Sequence, residues 1–411
     1  MLLRTRRCAY TELVKHVAKG EFSSLEEERR LWPPAPAPSK TRVGGGADAH
    51  VAPSVQRMHA VDGLRGLMAL AVVIYHMTVW TRAGGEPLRT LSIVAGIYSV
   101  QGFFVISGLC FFKLYGRTRW DGPALRAFYL RRWLRIAPLF YCALALSYLA
   151  GTTVDPHAGL RRLTENVTLT FALFHPNHSQ VLGGWSIGIE CLFYAVFPAL
   201  AWLTRRRALL YVLLLSAAGW ALRYTFGAVE AAPQPAQFHV YVALGNHAFL
   251  FLLGGAIADL SERGAPRIPA WFAALSSVAL CFVCVRSQAE ISDHVSAMVS
   301  WTRVEYVSLC AALVSIWALA QPTKLGLGQP LVWLGDLSYS IYLMHPLAWF
   351  VTQRVLPTTA TPALQLATGL ATTLAIAVCT ERCIERPAIA LGRRLTVPPD
   401  RTVATPAACQ G

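Results

Sequence analysis

The chain has 411 residues, 55% of them hydrophobic and only 14% charged, where a soluble domain has about 45–50% and about 25%. That balance, with a mean hydropathy of +0.43, excludes a string of soluble domains and points to a polytopic membrane protein. The net charge of +15 comes without a nucleic-acid-binding motif or a basic-aromatic stretch, so the Lys and Arg residues read as a positive-inside signature and nucleic acid is not an expected partner.

Residues 1–55 are polar and mixed in charge (LVKHVAKGEFSSLEEERR), then rich in Pro and Gly (WPPAPAPSK, VGGGADAH). No apolar core of about 7–15 residues precedes Val61, so no signal peptide is expected. The stretch reads as a largely disordered cytoplasmic tail with one short helix near 22–31. A transmembrane helix needs about 20 mostly apolar residues. Candidate spans fall at 60–80, 91–113, 133–151, 185–203, 208–226, 238–260, 270–286, 303–320, 331–352 and 363–381. The fold expected is an all-α polytopic membrane bundle of about ten transmembrane helices over residues 56–395, with a short cytoplasmic tail at 396–411. Basic clusters such as Arg131, Arg132 and Arg135, Arg205 to Arg207, and Arg393 and Arg394 fall on alternate loops. That side is cytoplasmic by the positive-inside rule, and both termini lie there. Residues 160–184 resist spanning and read as a re-entrant or interfacial segment on the outer side. Their N-x-[ST] matches at Asn166 and Asn177 carry no meaning in a bacterial inner membrane. The cysteines lie mostly in apolar runs and read as small buried hydrophobes. Cys281 and Cys284 are three apart with no second pair, so no metal site is expected.

Ionisable groups are expensive inside a bilayer, and the first span, RGLMALAVVIYH, carries two. Arg65 and His76 are eleven residues apart, about three turns and about 16 Å of rise on one helix face. The arrangement suits a long substrate with an anionic end near the cytoplasm and a reactive end in the membrane. A snorkelling Arg and a satisfied core His are the plain alternatives. Glu190 opens the fourth span, where a helix dipole alone would favour a carboxylate. LGDLSYSIYLMHP places Asp336, Ser338, Tyr339 and His345 in the ninth span. YLRRWLRIAP enters the third span, and Arg131, Arg132 and Arg135 there either hold phosphates or mark the inner leaflet.

In order, the chain carries VDGLRG with His eleven after the Arg, QGFFVISGLCFF, FYLRRWLRIAPLF, GGWSIGIECLFYAVFP, LGDLSYSIYLMHP and ERCIERP. Over residues 58–395 it resembles the membrane acyltransferase family 3, whose members O-acylate sugars of lipopolysaccharide, exopolysaccharide, Nod factors, peptidoglycan or macrolides. The resemblance implies about ten transmembrane helices. It carries the family's Arg/Lys-x10-His pair onto Arg65 and His76, its RxxR-type motif onto Arg132 and Arg135, and its WSLSVE-type motif onto Trp185, Ser186 and Glu190. Gly188 and Cys191 depart from the usual residues. No SGNH-type domain follows Arg394, so a relay through an appended esterase is not expected.

The implied reaction takes an acyl group, acetyl first, from cytoplasmic acyl-CoA to a hydroxyl of an envelope or secreted glycan. Acetyl-CoA is a co-substrate, and no bound cofactor or metal is expected. His76 would be the general base and Glu190 would orient it or hold the sugar. Arg65, Arg131, Arg132 and Arg135 would take the donor phosphates. Trp185, Ser186, Tyr339 and His345 would line the substrate. A proton-coupled transporter and a succinyl transferase are the competing readings.

Overall fold

Two close backbone crossings and two capped helix starts organise the bundle. The computed structural model describes residues 58–155, 159–224, 238, 241–263, 268–286, 302–319 and 328–396, all within one unit, Val55–Gly411. The expected tail at 1–55, the residues 397–411 and the side chains of Cys281 and Cys284 lie outside the described set.

The long helices are α1 (His59–Thr81), α2 (Glu86–Tyr115), α3 (Gly122–Ala150), α6 (Trp185–Leu203) and α7 (Arg207–Tyr224) in the first part of the chain. Between α3 and α6 lie two short ones, α4 (Leu160–Val167) and α5 (Phe171–Phe174), and a 3-10 turn, Pro176–His178. Then come a second 3-10 turn, Leu244–Asn246, and α8 (Ala248–Glu262), α9 (Ala270–Arg286), α10 (Thr302–Leu319), α11 (Gly328–Asp336), α12 (Ser338–Val355) and α13 (Pro362–Thr380). A π turn, Glu381–Glu385, runs on into α14 (Arg386–Thr396). No β-strand occurs among the described residues.

Helix starts follow local chemistry. Asp121 caps α3 by accepting the Ala124 N–H at 2.8 Å, with Pro123 in the first turn. Thr361 caps α13 at Leu364 N–H, 3.3 Å, ahead of Pro362. Both caps satisfy amides that a helix start leaves orphaned. Gly151 ends α3 at φ 67°, a left-handed position that glycine takes without strain.

A helix stands at each of the ten expected places, and five stretches are long and apolar enough to cross a membrane. These are His59–Thr81, Leu88–Tyr115, Gly122–Ala150, Trp185–Leu203 and Pro362–Thr396. The chain is thus an all-helical integral membrane protein. Two expected spans differ in form. The sixth is interrupted by the Leu244–Asn246 turn, and its long helix starts at Ala248. The ninth is broken at Leu337 into α11 and α12. The break lets Gly335 meet α1 backbone to backbone, since a Cβ on Gly66 would stand 2.7 Å from Gly335 N and one on Gly335 would strike the Asp62 carbonyl. A second crossing joins α2 to α8, where a Cβ on Gly108 would strike the Phe251 carbonyl and one on Gly254 the Val105 carbonyl. Small residues give such close approach in membranes, where lipid offers little hydrophobic drive for helices to associate.

Residues 160–184 form no helix longer than the eight residues of α4, well short of the about 20 a span requires. Asn166, fully buried, holds the segment together. Its amide donates to the Arg162 and His178 carbonyls at 2.8 Å each, and its Oδ1 accepts the Gln180 N–H at 2.9 Å. The departure at Gly188 has a packing cause: a Cβ there would lie 2.5 Å from the Phe171 ring and 2.7 Å from Ala172 Cβ. Glycine lets α5 rest on α6.

Gly108→Val should lower the thermal unfolding midpoint of the detergent-purified protein, because the branched side chain has only the Phe251 carbonyl to enter; overpacking costs about 1–3 kcal/mol.

Candidate active site

The site forms where α1 and α12 lie side by side. His76 Nδ1–H donates to the Val72 carbonyl at 2.9 Å, and His345 Nδ1–H donates to the Tyr342 carbonyl at 2.6 Å. Each bond fixes its imidazole as the Nδ1–H tautomer and leaves the lone pair on Nε2. The two rings stand 4.8 Å apart. His345 is fully buried, and its Nε2 has no hydrogen-bond partner. Trp80 and Trp349 complete a cluster of four rings. Trp80 lies 5.2 Å from His76, stacks on His345 at 6.0 Å and stacks on Trp349 at 5.7 Å.

Beside this cluster, Tyr342 donates to the Gly183 carbonyl at 2.9 Å and pairs with Ser186 Oγ at 2.8 Å. The loop before α6 is thereby tied to α12. Trp185 packs against Phe104, Tyr241 and His247, with ring centroids at 6.3, 5.6 and 5.4 Å. Glu190 accepts from Ser107 at 3.1 Å and from Tyr194 at 2.5 Å.

Toward the other end of α1 lie the cations. Arg65, half-buried, makes no hydrogen bond or ion pair among the described residues. It shares electrostatic range of Cys110 with Asp62, Arg132 and Lys113. Arg132 sits in an aromatic cage, its guanidinium 4.8 Å from the Phe111 ring centroid and 5.4 Å from that of Tyr115. It also donates to Tyr115 OH at 2.9 Å. Arg135 is ion-paired with Glu385, whose second oxygen accepts from Ser340 at 2.9 Å. Arg131 donates to Thr396 Oγ1 at 2.6 Å. Tyr339 lies under Arg135 and donates to the Ile136 carbonyl at 2.8 Å.

The structure therefore brings His76 and His345 into one cluster and joins Ser186 to it through Tyr342, with Arg65 farther back on α1. It commits Arg135 to a carboxylate and Arg131 to the last turn of α14. Sequence reasoning passes over Ser107, Glu385, Trp80 and Trp349. The two tryptophans had a signal, since HMTVW and HPLAW each set Trp four residues after His. Ser107 and Glu385 lie inside the quoted QGFFVISGLCFF and ERCIERP stretches, but their partners are 83 and 250 residues away and the stretches do not name them.

Glu165, His175 and His178 bring metal-type donors within 4.8 Å of one another. Both Nδ1–H groups donate to the Glu165 carboxylate, at 3.0 and 2.8 Å, and Arg161 approaches it at 3.3 Å. The imidazoles are stacked at 4.3 Å and 10°, so an ion in the plane of one ring lies out of the plane of the other. The cluster as built is a hydrogen-bonded clip between α4 and the turn at His178. Burial pushes the Glu165 carboxyl up, but the His178 hydrogen bond and the His175, His178 and Arg161 charges together hold it below its usual value. Burial keeps His178 below its usual value, more than Glu165 raises it.

The described bundle thus holds a tautomer-locked imidazole, His76, and the half-buried Arg65 eleven residues apart on one unbroken helix. The chain belongs to the family described as an acyltransferase domain, which it matches over residues 58–382. It is similar to Peptidoglycan O-acetyltransferase OatA of Listeria monocytogenes, 26% identical over 80% of this chain and 55% of the relative. It is also similar to Putative membrane-bound transacylase BcsY of Komagataeibacter xylinus, 26% identical over 77% of this chain and 78% of the relative. The chain thus spans about half the length of the first of these relatives. No solved structure is a significant match.

Glu385 is 2% exposed at its side chain, so Glu385→Ala strands Arg135 with an unpaired charge. Thermal unfolding should register a loss of about 3–5 kcal/mol, with Glu385→Gln falling between it and wild type. The clip responds to pH with a definite sign. Glu165 and His178 both bind protons more readily when the segment is unfolded, so its stability falls with falling pH. The His178 share is lost below that residue's ordinary value of 6.5 and the Glu165 share below 4.5. Amides of residues 160–178 should exchange hydrogen faster at pH 5 than at pH 7, after correction for intrinsic rates.

Proposed function

We propose that this protein is a membrane-embedded O-acyltransferase that moves an acetyl group from cytoplasmic acetyl-CoA to a hydroxyl of a cell-envelope glycan. The observation that carries the reading is His76, its Nδ1–H held by the Val72 carbonyl at 2.9 Å so that Nε2 is the base. Arg65 lies eleven residues back on the same unbroken helix. Family membership supports acyl transfer, and similarity to a peptidoglycan O-acetyltransferase supports a glycan acceptor.

In this reading the donor's phosphates meet Arg65 and Arg132, and the pantetheine arm runs beside α1 toward His76. An acceptor hydroxyl gives its proton to His76 Nε2 as its oxygen attacks the thioester carbonyl carbon. The C–S bond breaks, the acyl group becomes an ester of the sugar, and the CoA thiolate takes the proton from His76. Positioned base catalysis of this kind contributes about 10²–10⁴-fold. Glu190, held by Ser107 and Tyr194, presents its remaining oxygen to the acceptor. Ser186 and Tyr342 shape the same side, and Trp185 backs it. Arg131, Arg135 and Tyr339 brace the donor side through Thr396, Glu385 and the Ile136 carbonyl. The bundle has about ten spans in a bacterial inner membrane with both termini cytoplasmic, and needs no bound metal or cofactor.

The test uses the purified full chain in nanodiscs with acetyl-CoA, following free CoA with a thiol reagent in the presence and absence of an envelope glycan extract. Wild type should release CoA in response to glycan. His76→Ala should lose at least about 100-fold in kcat. Arg65→Ala should raise the KM for acetyl-CoA about ten-fold or more, the value of a charge-assisted contact. Unchanged release by folded His76→Ala would remove His76 as the base. Absence of glycan-stimulated release by a wild type that binds acetyl-CoA would overturn the transfer reading.

A further inference from the structure

The tryptophans beside the histidines have no part in the proton transfer, and their placement is specific. Each of two helices presents His and Trp four residues apart, His76 and Trp80 on α1, His345 and Trp349 on α12. That spacing stacks the pair on one helix face. The two faces meet, so that Trp80 lies close to parallel with both neighbours, 19° from the His345 ring and 24° from the Trp349 ring. Tryptophan in a membrane protein ordinarily sits in the interfacial belts facing lipid. Here both indoles are half-buried, Trp80 against the His76 and His345 rings and Trp349 against Trp80.

One polar group in the cluster is left unsatisfied. His345 donates its only N–H to the Tyr342 carbonyl, and its Nε2 lone pair is fully buried with no partner. An unmet buried acceptor is costly, and in a native structure such a group calls for a reason. With the tautomer fixed by a backbone carbonyl, the atom can receive only a donor, an O–H or N–H. A ligand for this place therefore needs a flat apolar face for indole and a hydroxyl edge for imidazole nitrogen. A pyranose ring has both: axial C–H bonds on its faces and hydroxyls around its rim. An acyl chain has the first alone and a phosphate neither.

We infer that Trp80 and Trp349 form the acceptor subsite, a stacking platform for a sugar ring, and that His345 Nε2 accepts a second hydroxyl of the same sugar and sets which hydroxyl reaches His76. The inference rests on the transfer reading above and names its acceptor side. His345 is a positioning residue for the acceptor, 4.8 Å from the base by ring centroid. The platform selects ring-shaped acceptors over lipid alcohols.

The test measures steady-state transfer by the full chain in nanodiscs, with acetyl-CoA and a soluble mixture of peptidoglycan strands and exopolysaccharide, alongside acetyl-CoA affinity by calorimetry. Trp349→Leu should raise the KM for glycan about ten-fold, equivalent to about 1.4 kcal/mol of stacking, with kcat changed less than about two-fold on the same scale and acetyl-CoA affinity unchanged. Trp349→Phe, which keeps a flat face, should restore most of the affinity. His345→Gln should alter the distribution of acetylated hydroxyls in the product. A Trp349→Leu enzyme with the wild-type KM for glycan would overturn the inference while leaving the transfer reading intact. Loss of acetyl-CoA affinity together with glycan KM, in both Leu and Phe variants, would overturn it in favour of simple packing. Failure of wild type to transfer at all would overturn the transfer reading itself, and this inference with it.

Discussion

Everything in this molecule depends on how an apolar bundle accommodates ionisable and polar side chains that it cannot leave alone. Burying a charge without a partner costs several kcal/mol, and burying an unmet dipole costs about 1–3 kcal/mol. The bundle answers differently at each place. Backbone carbonyls one turn back or nearer take the imidazole N–H of His76 and His345. A carboxylate takes Arg135, and four aromatic rings surround Arg132. The same bonds have a chemical consequence: a carbonyl that satisfies Nδ1–H leaves the ring's acceptor at Nε2, with no acidic partner required.

The charged partners come from far along the chain. Arg135 on α3 meets Glu385 in the π turn, and Ser340 at the start of α12 holds the other Glu385 oxygen. A π turn widens the helix by one residue and recurs at functional positions. Here it carries Glu381, which pairs with Arg386, as well as Glu385. One short irregular stretch thus links α3, α12 and the last helix. The glycine contacts serve the same end by another route. Gly66 and Gly335 bring α1 against α11, and α12 follows after the single residue Leu337. Helices α1 and α12 carry the His76–His345 approach, 4.8 Å between ring centroids.

The segment between α3 and α6 is a folded cover rather than a span. Asn166 braces it from inside, and the Glu165 clip pins its outer turn. Its last residues reach the site, since the Gly183 carbonyl accepts from Tyr342, whose hydroxyl oxygen meets Ser186. Cover and site are mechanically continuous, so the pH-dependent clip and the Tyr342 anchor lie on one stretch of chain.

Membrane character, helical class and the places of ten helices were legible in the sequence, because apolar runs of near-spanning length leave a chain few other options. So were Arg65 and His76 as a pair on one helix, since the 3.6-residue turn fixes their separation whatever surrounds them. The H-x3-W repeats were equally legible as spacing, though not as a meeting of two faces. Only the tertiary structure decided that His345 stands beside His76, that Arg135 is spoken for by Glu385, that Glu190 is held by Ser107 and Tyr194, and that the ninth span breaks at Leu337. The His76–His345, Arg135–Glu385 and Ser107–Glu190 contacts each join residues from separate elements. Which helix faces meet is set by glycine contacts and by the pairing demands of buried polar groups, and neither is a property of any one stretch of sequence.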